Sequence, residues 1–417
     1  MFDIDKWQEI FASISRHKLR TGLTAFGVFW GIFMLMLLLG VGAGLEKGVT
    51  GMFGGMSKNA AFVWTRKTTV AYKGMQPGRR FNINETDISF IKQNISEIEH
   101  ICPRLNLIGD FAIFHKNKSG SFEVNGDAPG YIHVESRRFV KGRYLNELDI
   151  AEKRKVAVIG KRVAELLFEE DEPIINQYID IKGSFFKVIG VVKSMKTGEG
   201  VGDDEQTIHI PYTTAQQMNN WGNNIGWFAF TVPNNTDVSQ VEGKVKTLLA
   251  ERHKISPDDR DAIGAWNTQR EFQQFTGVFK GINIFTWAVG IGTLIAGIVG
   301  VSNIMLVSVK ERTREFGLRK ALGATPYSII SLVIQESVLL TAVAGYMGLV
   351  VAVGLIEGIS TLMDTFNVQL EYFGNPEINF QAAAFATTVL IITGAVAGLI
   401  PASQAALIKP IEALRAK

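Results

Sequence analysis

The sequence predicts a multi-pass α-helical membrane protein with four transmembrane helices and a large α+β extracytoplasmic domain inserted between the first and the second. Three observations support this prediction. The 417 residues are 47% hydrophobic yet 20% charged, which is too apolar for a wholly soluble chain and too charged for a wholly embedded one. Four long segments are almost free of charge. The stretch between the first two of them mixes strand and helix patterns.

The four apolar segments are long enough to cross a bilayer. Residues 21–45, 281–309 and 378–408 carry no charged side chain over 25, 29 and 31 residues, and residues 327–356 carry only Glu336. Each segment exceeds the ~20 residues that a helix needs to span the hydrocarbon core. We therefore predict transmembrane helices at residues 21–46, 281–309, 327–357 and 382–404.

Three groups of basic residues flank the predicted helices, and all three fall on the same side of the membrane. They precede the first helix, fill the connection between the second and third, and follow the fourth: Arg16, Lys18, Arg20, Lys310, Arg312, Arg314, Arg319, Lys320, Lys409, Arg415 and Lys417. Residues 358–381 carry three acidic residues and no Lys or Arg. The positive-inside rule therefore predicts an inner-membrane protein with both termini in the cytoplasm, 405–417 forming a cytoplasmic tail. Residues 47–280 and the short loop 358–381 are then periplasmic.

Residues 1–20 are predicted to form a cytoplasmic amphipathic helix. Its apolar residues recur at helical spacing, as expected of a helix that lies on the inner membrane surface: Ile4, Trp7, Ile10, Phe11 and Ile14. The alternative is that the first transmembrane helix simply extends into the cytosol. The first apolar segment lacks a small-x-small cleavage site and is too long for a signal-peptide core, so it is expected to be a retained anchor.

The predicted periplasmic core domain, residues 47–280, is large enough for a porter-like subdomain and a second α+β subdomain. Short β-branched or aromatic runs bounded by turn residues predict strands at 62–64, 155–159, 178–181, 185–192, 207–210 and 227–232. Asn84 and Asp237 precede helical patterns as capping residues do, and Thr213 and Thr214 are predicted to start a third helix. Residues 178–192 are predicted to form a hairpin.

The sequence gives little support for enzymatic chemistry in these residues. No G-x-x-x-x-G-K-[ST] motif is present, so a P-loop ATP site is not predicted. The six histidines are scattered without the i, i+4 pairing of a helical zinc site, and the one cysteine, Cys102, has no intrachain partner. We predict no catalytic residue, no bound metal, no cofactor in this chain and no nucleic-acid partner.

Small residues recur at four-residue spacing in the predicted transmembrane helices. Gly40 and Gly44 lie in the first helix, and Gly292, Ala296 and Gly300 lie in the second. Small-x-x-x-small patterns let helix backbones approach closely, so these residues are predicted to pack the helices with one another or across a dimer.

Glu336 is an ionisable residue about nine residues into the third predicted helix. An acid at such a depth is a functional-site hypothesis by default. The alternative is that Glu336 lies near the inner interface and pairs with a basic residue of the preceding connection.

That connection, residues 310–326, carries seven charges between two transmembrane helices and is predicted to be a cytoplasmic helix. The segment Ser302-Asn-Ile-Met-Leu-Val-Ser-Val-Lys-Glu-Arg-Thr-Arg-Glu-Phe-Gly-Leu-Arg-Lys-Ala-Leu-Gly-Ala324 closely resembles the FtsX-like permease signature of MacB-type ABC transporters. Residues 7–45, 158–192 and 401–415 are similar to the N-terminal region, the periplasmic core domain and the C-terminal signature of the same family.

The resemblance implies a permease subunit of a type VII ABC transporter. It implies a dimer with itself or with a second permease, a coupling helix seated on the ATPase, and conformational change in the periplasmic domain driven by ATP. Relatives such as MacB carry the nucleotide-binding domain in the same polypeptide. This chain has no P-loop, so a separate ABC ATPase subunit that binds ATP and Mg is expected. At residues 172–176 the chain has Glu-Pro-Ile-Ile-Asn where many relatives have Gly, so the local turn there is expected to differ.

The resemblance also implies roles for the residues of the coupling helix. The predicted ATPase-coupling set is Glu311, Arg312, Thr313, Arg314, Glu315, Phe316, Gly317, Arg319 and Lys320. Arg312, Arg314, Arg319 and Lys320 would pair with acidic groups of the ATPase, and Phe316 would insert as an apolar anchor. Gly317 and Gly323 would allow close approach or end the helix, and Pro326 would start the next one.

Three activities remain open from the sequence. Efflux or export is favoured because the connection and the periplasmic domain match the MacB branch, whose members work with a periplasmic adaptor and an outer-membrane channel. Release of lipoproteins from the membrane uses the same four-helix plan. Regulation of a cell-wall hydrolase, as by FtsX itself, is a third reading, although the extracytoplasmic domain of FtsX is generally smaller.

Overall fold

The computed structural model describes residues 18–107, 112–196, 200–366, 370, 372–377 and 380–415. The chain divides into two compact units, Met1–Gly48 with Val278–Lys417, and Val49–Gly277. Most of the amphipathic helix predicted at residues 1–20 lies outside the described residues, as do parts of the predicted loop 358–381 and of the tail 405–417.

The first unit is helical. Its elements are α1 (Lys18–Met52), α9 (Thr268–Glu311), α10 (Thr313–Ala321), α11 (Pro326–Thr365), α12 (Phe380–Leu407) and α13 (Pro410–Arg415), and the ends of α1 and α9 belong to the second unit. In the described part of the chain, four helices are long and apolar enough to cross a membrane: α1, α9, α11 and α12. The predicted fold class is confirmed.

Close contacts between α11 and α12 depend on small residues. A Cβ atom added at Gly345 would overlap the side chain of Leu390, and one added at Gly394 would overlap the side chain of Thr341. The Ser337 hydroxyl donates a 2.8 Å hydrogen bond to the carbonyl oxygen of Gly394. These contacts hold the two backbones close together, as small residues do in membrane helices.

The predicted packing glycines differ in their surroundings. A Cβ atom at Gly40 would overlap Ile356 of α11, and one at Gly44 would meet the ring of Phe373 at 2.7 Å. The stripe on α9 behaves otherwise, because the Cβ positions of Gly292 and Gly300 have no atom within 4 Å and Ala296 is exposed. The prediction that these residues pack against other helices of the same chain is therefore wrong, because other residues of α9, such as Gly290 and Gly297, face the neighbouring helix. A contact with a second copy stays a prediction.

The second unit contains fourteen described strands and seven helices. The strands are β1 (Ala60–Thr65), β2 (Ile83–Asn84), β3 (His100–Asn106), β4 (Ala112–His115), β5 (Lys118–Ser121), β6 (Glu123–Asp127), β7 (Arg138–Gly142), β8 (Val156–Gly160), β9 (Tyr178–Ile181), β10 (Ser184–Lys193), β11 (Thr207–Pro211), β12 (Asn224–Ile225), β13 (Trp227–Thr231) and β14 (Ile263–Asn267). The helices are α2 (Glu85–Asn94), α3 (Tyr131–Val134), α4 (Glu147–Ala151), α5 (Lys161–Leu167), α6 (Gly200–Glu205), α7 (Tyr212–Met218) and α8 (Val238–Arg252).

Twelve strands form one sheet in the order β14-β1-β13-β3-β6-β11-β8-β10-β9-β4-β5, with β7 on the edge of β10. Two apolar cores lie along it, one under β1 and β13 against α2 and α8, the other under β6, β8, β9, β10 and β11 against α5. The two halves of the sheet meet where β3 pairs with β6, with Arg104 opposite Asp127. This junction is built from residues 23 positions apart in the chain.

Several local predictions are confirmed. Asn84 and Asp237 are the N-caps of α2 and α8, and Asn84 forms a capping box with Asp87. The predicted hairpin is β9–β10, whose turn residues Lys182 and Gly183 both have positive φ, as a two-residue hairpin turn requires. The helix predicted to start at Thr213–Thr214 is present as α7, but it begins one residue earlier, at Tyr212, and has no side-chain cap.

A buried polar cluster joins the halves of the sheet. The Asp127 carboxylate, which is fully buried, accepts hydrogen bonds from Nε and Nη2 of Arg104, the latter 2.8 Å long. It also accepts a hydrogen bond from the Tyr144 hydroxyl at 3.1 Å and one from Nδ1 of His209 at 2.7 Å. The guanidinium of Arg104 lies 3.7 Å from the ring centroid of Tyr131. Four elements are tied together at this point of the sheet.

Contacts within this cluster and its burial shift the pKa values of Asp127 and His209. Burial alone would raise the pKa of Asp127, but the charge and hydrogen bonds of Arg104 and the hydrogen bond from His209 hold that pKa well below its usual range. Burial, followed by the nearby charge of Arg137, lowers the pKa of His209, and its Nε2 atom has no hydrogen-bond partner in the described structure. His209 is therefore buried as a neutral imidazole.

This arrangement predicts that acid destabilises the second unit. Below the ordinary imidazole pKa of about 6.5, the unfolded chain takes up a proton that folded His209 does not, so stability falls as pH falls, by up to about 1.4 kcal/mol per pH unit. His100, whose pKa burial also lowers, contributes with the same sign. The His209→Asn variant, which retains a donor for Asp127, should lose stability less steeply between about pH 6.5 and 5. Urea unfolding of the detergent-solubilised protein, followed by tryptophan fluorescence, measures both slopes, and equal slopes would contradict this account.

Candidate functional site

The helix between the second and third transmembrane helices is bounded by sharp local breaks. Helix α9 ends at Glu311, Arg312 leaves the helical conformation with ψ of 17°, and α10 starts at Thr313. At the other end Gly323 has φ of 98°, a conformation that favours glycine, and Pro326 occupies the first turn of α11 behind the N-cap Thr325. The predicted helix end at Gly323 and helix start at Pro326 are confirmed.

One face of α10 is packed inside the first unit. Phe316 is 1% exposed and belongs to the same apolar core as Val309 of α9 and Ile329 of α11. A Cβ atom at Gly317 would overlap the Cβ of Ala413 in α13, so glycine is needed for that close approach. Helix α10 is thereby held against both neighbouring transmembrane helices and against α13.

An ion-pair network fixes the start of α10 to α11. Nη1 of Arg312 lies 3.0 Å from Oε2 of Glu336, which is 4% exposed. Nε and Nη2 of the same arginine donate hydrogen bonds of 3.0 and 2.9 Å to the two oxygens of Glu315, and Arg319 lies 3.1 Å from Glu315. The guanidinium of Arg312 also lies 5.1 Å from the ring centroid of Phe316. Arg312 therefore connects the second helix, α10 and the third helix.

Glu336 was predicted to be either an intramembrane functional site or the partner of a basic residue in the connection before the third helix. The Glu336 carboxylate pairs with Arg312, a basic residue of that connection 24 positions earlier in the chain, as the second alternative predicts. Removing one partner of a buried ion pair is far more damaging than replacing both, because the remaining charge loses its compensation. The pair therefore connects the start of α10 to the third transmembrane helix.

Lys320 ties α10 to the fourth transmembrane helix. Its ammonium donates hydrogen bonds to the carbonyl oxygen of Ala406 and, at 3.0 Å, to that of Ile408. These carbonyls belong to the last turn of α12 and the residue after it, where a cation is favoured by the helix dipole. The prediction that Lys320 pairs with an external acidic group disagrees with this structure, since its donors point into the chain.

The external face of α10 has a different composition from the one predicted. Phe316 was expected to be an external anchor but is buried, because the tight approach of α10 to α13 at Gly317 turns that face inward. Arg314 is exposed, as is Glu311. Leu318 and Leu322 follow at four-residue intervals and are 52% and 81% exposed. Sequence reasoning missed these two leucines, although the four-residue steps from Arg314 to Leu318 and from Leu318 to Leu322 place all three on one face.

The remaining predicted residues have local roles. The Thr313 hydroxyl donates hydrogen bonds of 2.7 and 3.3 Å to the carbonyl oxygens of Lys310 and Val309, which caps the end of α9. Among the described residues no group of three or more His, Cys, Asp or Glu side chains has metal-binding geometry. Burial raises the pKa of the Cys102 thiol to about 12, so this cysteine is a poor nucleophile.

Comparison with known proteins gives two family matches that together cover most of the chain. Residues 21–248 match the model of the MacB-like periplasmic core domain, and residues 287–410 match that of the FtsX-like permease C-terminal domain. The second match contains α10 and both transmembrane helices that it joins.

Individual relatives agree with these matches. The macrolide export ATP-binding/permease protein MacB of Bdellovibrio bacteriovorus is 29% identical over 99% of this chain and 62% of its own length. The pyoverdine export ATP-binding/permease protein PvdT of Pseudomonas entomophila is 28% identical over 95% of this chain and 57% of its own length. The chain thus spans less than two thirds of these relatives. The periplasmic region of MacB from Actinobacillus actinomycetemcomitans, a solved structure, is 19% identical with a TM-score of 0.43, over 53% of this chain and 94% of that one.

Proposed function

The chain belongs to the family of permeases that combine a MacB-like periplasmic core domain with an FtsX-like domain, and we propose that an ABC ATPase outside these 417 residues drives it through α10. The observation that carries the proposal is the exposed Arg314–Leu318–Leu322 face on a helix that is otherwise locked into the permease. An exposed apolar pair beside an exposed cation is the composition of a protein contact, in which buried aliphatic groups supply affinity and a charge supplies orientation.

The proposed orientation places α10 in the cytoplasm of a cell whose inner membrane holds the four helices. The five basic residues between Val309 and Ala321 support this side under the positive-inside rule. Residues 49–277 then form the periplasmic domain. ATP and Mg would bind to the ATPase, since these residues contain no P-loop.

The contacts of α10 suggest how force is transmitted. Arg312 links α10 to Glu336 of the third helix, Lys320 links it to the end of the fourth, and α9 continues into α10 through the single residue Arg312. A displacement of α10 by ATP-driven closure of the ATPase would therefore move all three helices together. The connected helix α9 would carry that motion toward the periplasmic domain, without a substrate path through the helices.

The proposed transport activity is efflux or export. The two relatives described above are named for export of macrolides and of pyoverdine, and the family resemblance extends through the periplasmic core domain. We further propose a dimer of this permease with itself or with a second permease. A periplasmic adaptor and an outer-membrane channel would complete the export route. Lipoprotein release and hydrolase regulation remain alternatives that the identity of the co-purifying proteins would decide.

The Leu318→Ser variant tests the proposed contact. We expect it to insert normally but to lose most of the ATP hydrolysis that the wild-type permease stimulates, because a serine cannot fill an apolar pocket on the ATPase. Affinity purification of the tagged permease in mild detergent, followed by mass spectrometry and a vanadate-sensitive ATPase assay, measures both binding and stimulation. Leu166→Ser changes a leucine of similar exposure on α5 and should leave both unchanged. Equal hydrolysis in the two variants would remove α10 from the coupling mechanism.

A further inference from the structure

At the β5–β4–β9–β10 end of the large sheet, one face carries large side chains that the described part of the chain leaves exposed. Side chains alternate across these strands, and those on the inner face are fully buried in the core: Ile113, Ile179, Ile181 and Phe186. On the opposite face Phe114, Tyr178 and Phe185 are 48%, 54% and 64% exposed. Three large exposed aromatic side chains on one face of a sheet are typical of an interaction surface.

The strand register places a carboxylate between two of these rings. Phe114 of β4 and Phe185 of β10 both lie directly opposite Asp180 of the central strand β9. Directly opposite residues in antiparallel strands project from the same face. The two phenylalanine backbones are separated by two strand spacings, ~9.6 Å, so Asp180 lies between them on the same face of the sheet.

Asp180 is incompletely satisfied by the chain itself. Its Oδ1 atom is buried and has no hydrogen-bond partner in the part of the chain that the structure describes. A shielded carboxylate oxygen without a donor is unfavourable, and an incoming donor would relieve that cost. Lys187 lies on the same face, opposite Tyr178. No ion pair between Lys187 and Asp180 is found among the described contacts, so Lys187 does not supply the donor.

We propose that the Phe114–Asp180–Phe185 face is a docking surface for a protein segment that inserts an arginine side chain between the two rings. The guanidinium would donate hydrogen bonds to Asp180 and stack on the ring faces, an arrangement that satisfies the carboxylate and uses cation–π attraction at once. Aliphatic residues on either side of the arginine would cover Tyr178 and the rest of the patch. An uncharged apolar partner would bury the carboxylate without a donor, which disfavours it. The proposal does not depend on the coupling through α10.

The test is selection of a random linear peptide library against the full-length protein in lipid nanodiscs. We expect enriched peptides to carry an arginine next to aliphatic residues. Fluorescence anisotropy of an enriched peptide should show at least about tenfold weaker binding to Asp180→Asn and to Phe185→Ala, because each removes one part of the arginine pocket. The analogue with citrulline in place of arginine, which has similar shape and no charge, should bind equally weakly to wild type.

Two control variants sharpen the result. Phe139→Ala removes an exposed phenylalanine elsewhere on the same unit, on β7, and should leave binding unchanged. Lys187→Gln removes the nearby competing charge and should leave binding equal or tighter. The proposal is overturned if no cationic sequence is enriched or if binding is insensitive to Asp180→Asn. Loss of self-association in Phe185→Ala, with no cationic peptide selected, would instead assign the face to a second copy of the chain.

Discussion

Replacing Glu336 with leucine is expected to destabilise the membrane unit by roughly 3–5 kcal/mol, the usual cost of breaking a buried ion pair by removing one partner. Arg312 would keep Glu315 but lose its contact with the third transmembrane helix. The connection between α10 and that helix would be broken, so under the proposed function we also expect the partner ATPase to hydrolyse ATP without a matching response in the second unit. Thermal unfolding in detergent and ATP hydrolysis by the reconstituted complex measure the two effects.

The double variant Arg312→Leu, Glu336→Leu is the matched control for this prediction. Replacing both partners of a buried pair by apolar residues is often neutral for stability, so most of the lost stability should return. The coupling defect should persist, because an apolar contact does not restore the directed link between the two helices. A Glu336→Leu single variant as stable as wild type would show that the pair is not a structural joint.

Replacing Asp127 with alanine is expected to destabilise the second unit by roughly 3–5 kcal/mol or more. The buried Arg104 guanidinium would lose its counterion, and the Tyr144 hydroxyl and His209 Nδ1 would lose their acceptor. The damage lies at the β3–β6 junction, so both halves of the sheet should unfold together. Trp227, whose ring lies 5.3 Å from the Arg104 guanidinium, is a fluorescent reporter at that junction.

Two comparisons make the Asp127 result interpretable. Asp127→Asn keeps one acceptor oxygen but loses the charge and the second acceptor, so its stability should fall between those of wild type and the alanine variant. Glu165→Ala removes one side of an exposed ion pair with Arg162 and should change stability by less than about 1 kcal/mol. An alanine variant at position 127 that unfolds at the wild-type temperature would contradict the role of the cluster.

The sequence predicts those features that depend on neighbouring residues. The four apolar helices follow from uninterrupted runs, the cap at Asn84 from its spacing to Asp87, and the β9–β10 hairpin from a Lys-Gly turn between two strand patterns. The start of α10 can also be predicted in part, because an uncharged run ends and a cluster of charged residues begins at Lys310. Such signals are contained within a few positions of the chain.

Contacts between residues that are far apart in the chain cannot be predicted from such local sequence signals. The Arg104–Asp127 junction needs the pairing of β3 with β6, which no periodicity in either strand indicates. The inward direction of Phe316 is set by contact of α10 with α13 almost 100 positions later in the chain, at Gly317 and Ala413. Sequence reasoning that does not know of the Gly317–Ala413 contact predicts Phe316 as the residue that binds the ATPase and overlooks the exposed Leu318. The pairing of Glu336 was one of two readings and needed the structure to decide it.

The central claim is that ATP-driven motion of α10 reaches the periplasmic domain, and hydrogen–deuterium exchange tests it most directly. Exchange across residues 49–277 would be measured in the permease–ATPase complex without nucleotide and after vanadate trapping. We predict a trapping-dependent change in protection in the wild-type periplasmic domain that is lost in Glu336→Leu while ATP hydrolysis continues. Identical exchange in the two nucleotide states of the wild-type complex, with the ATPase active, would contradict the claim.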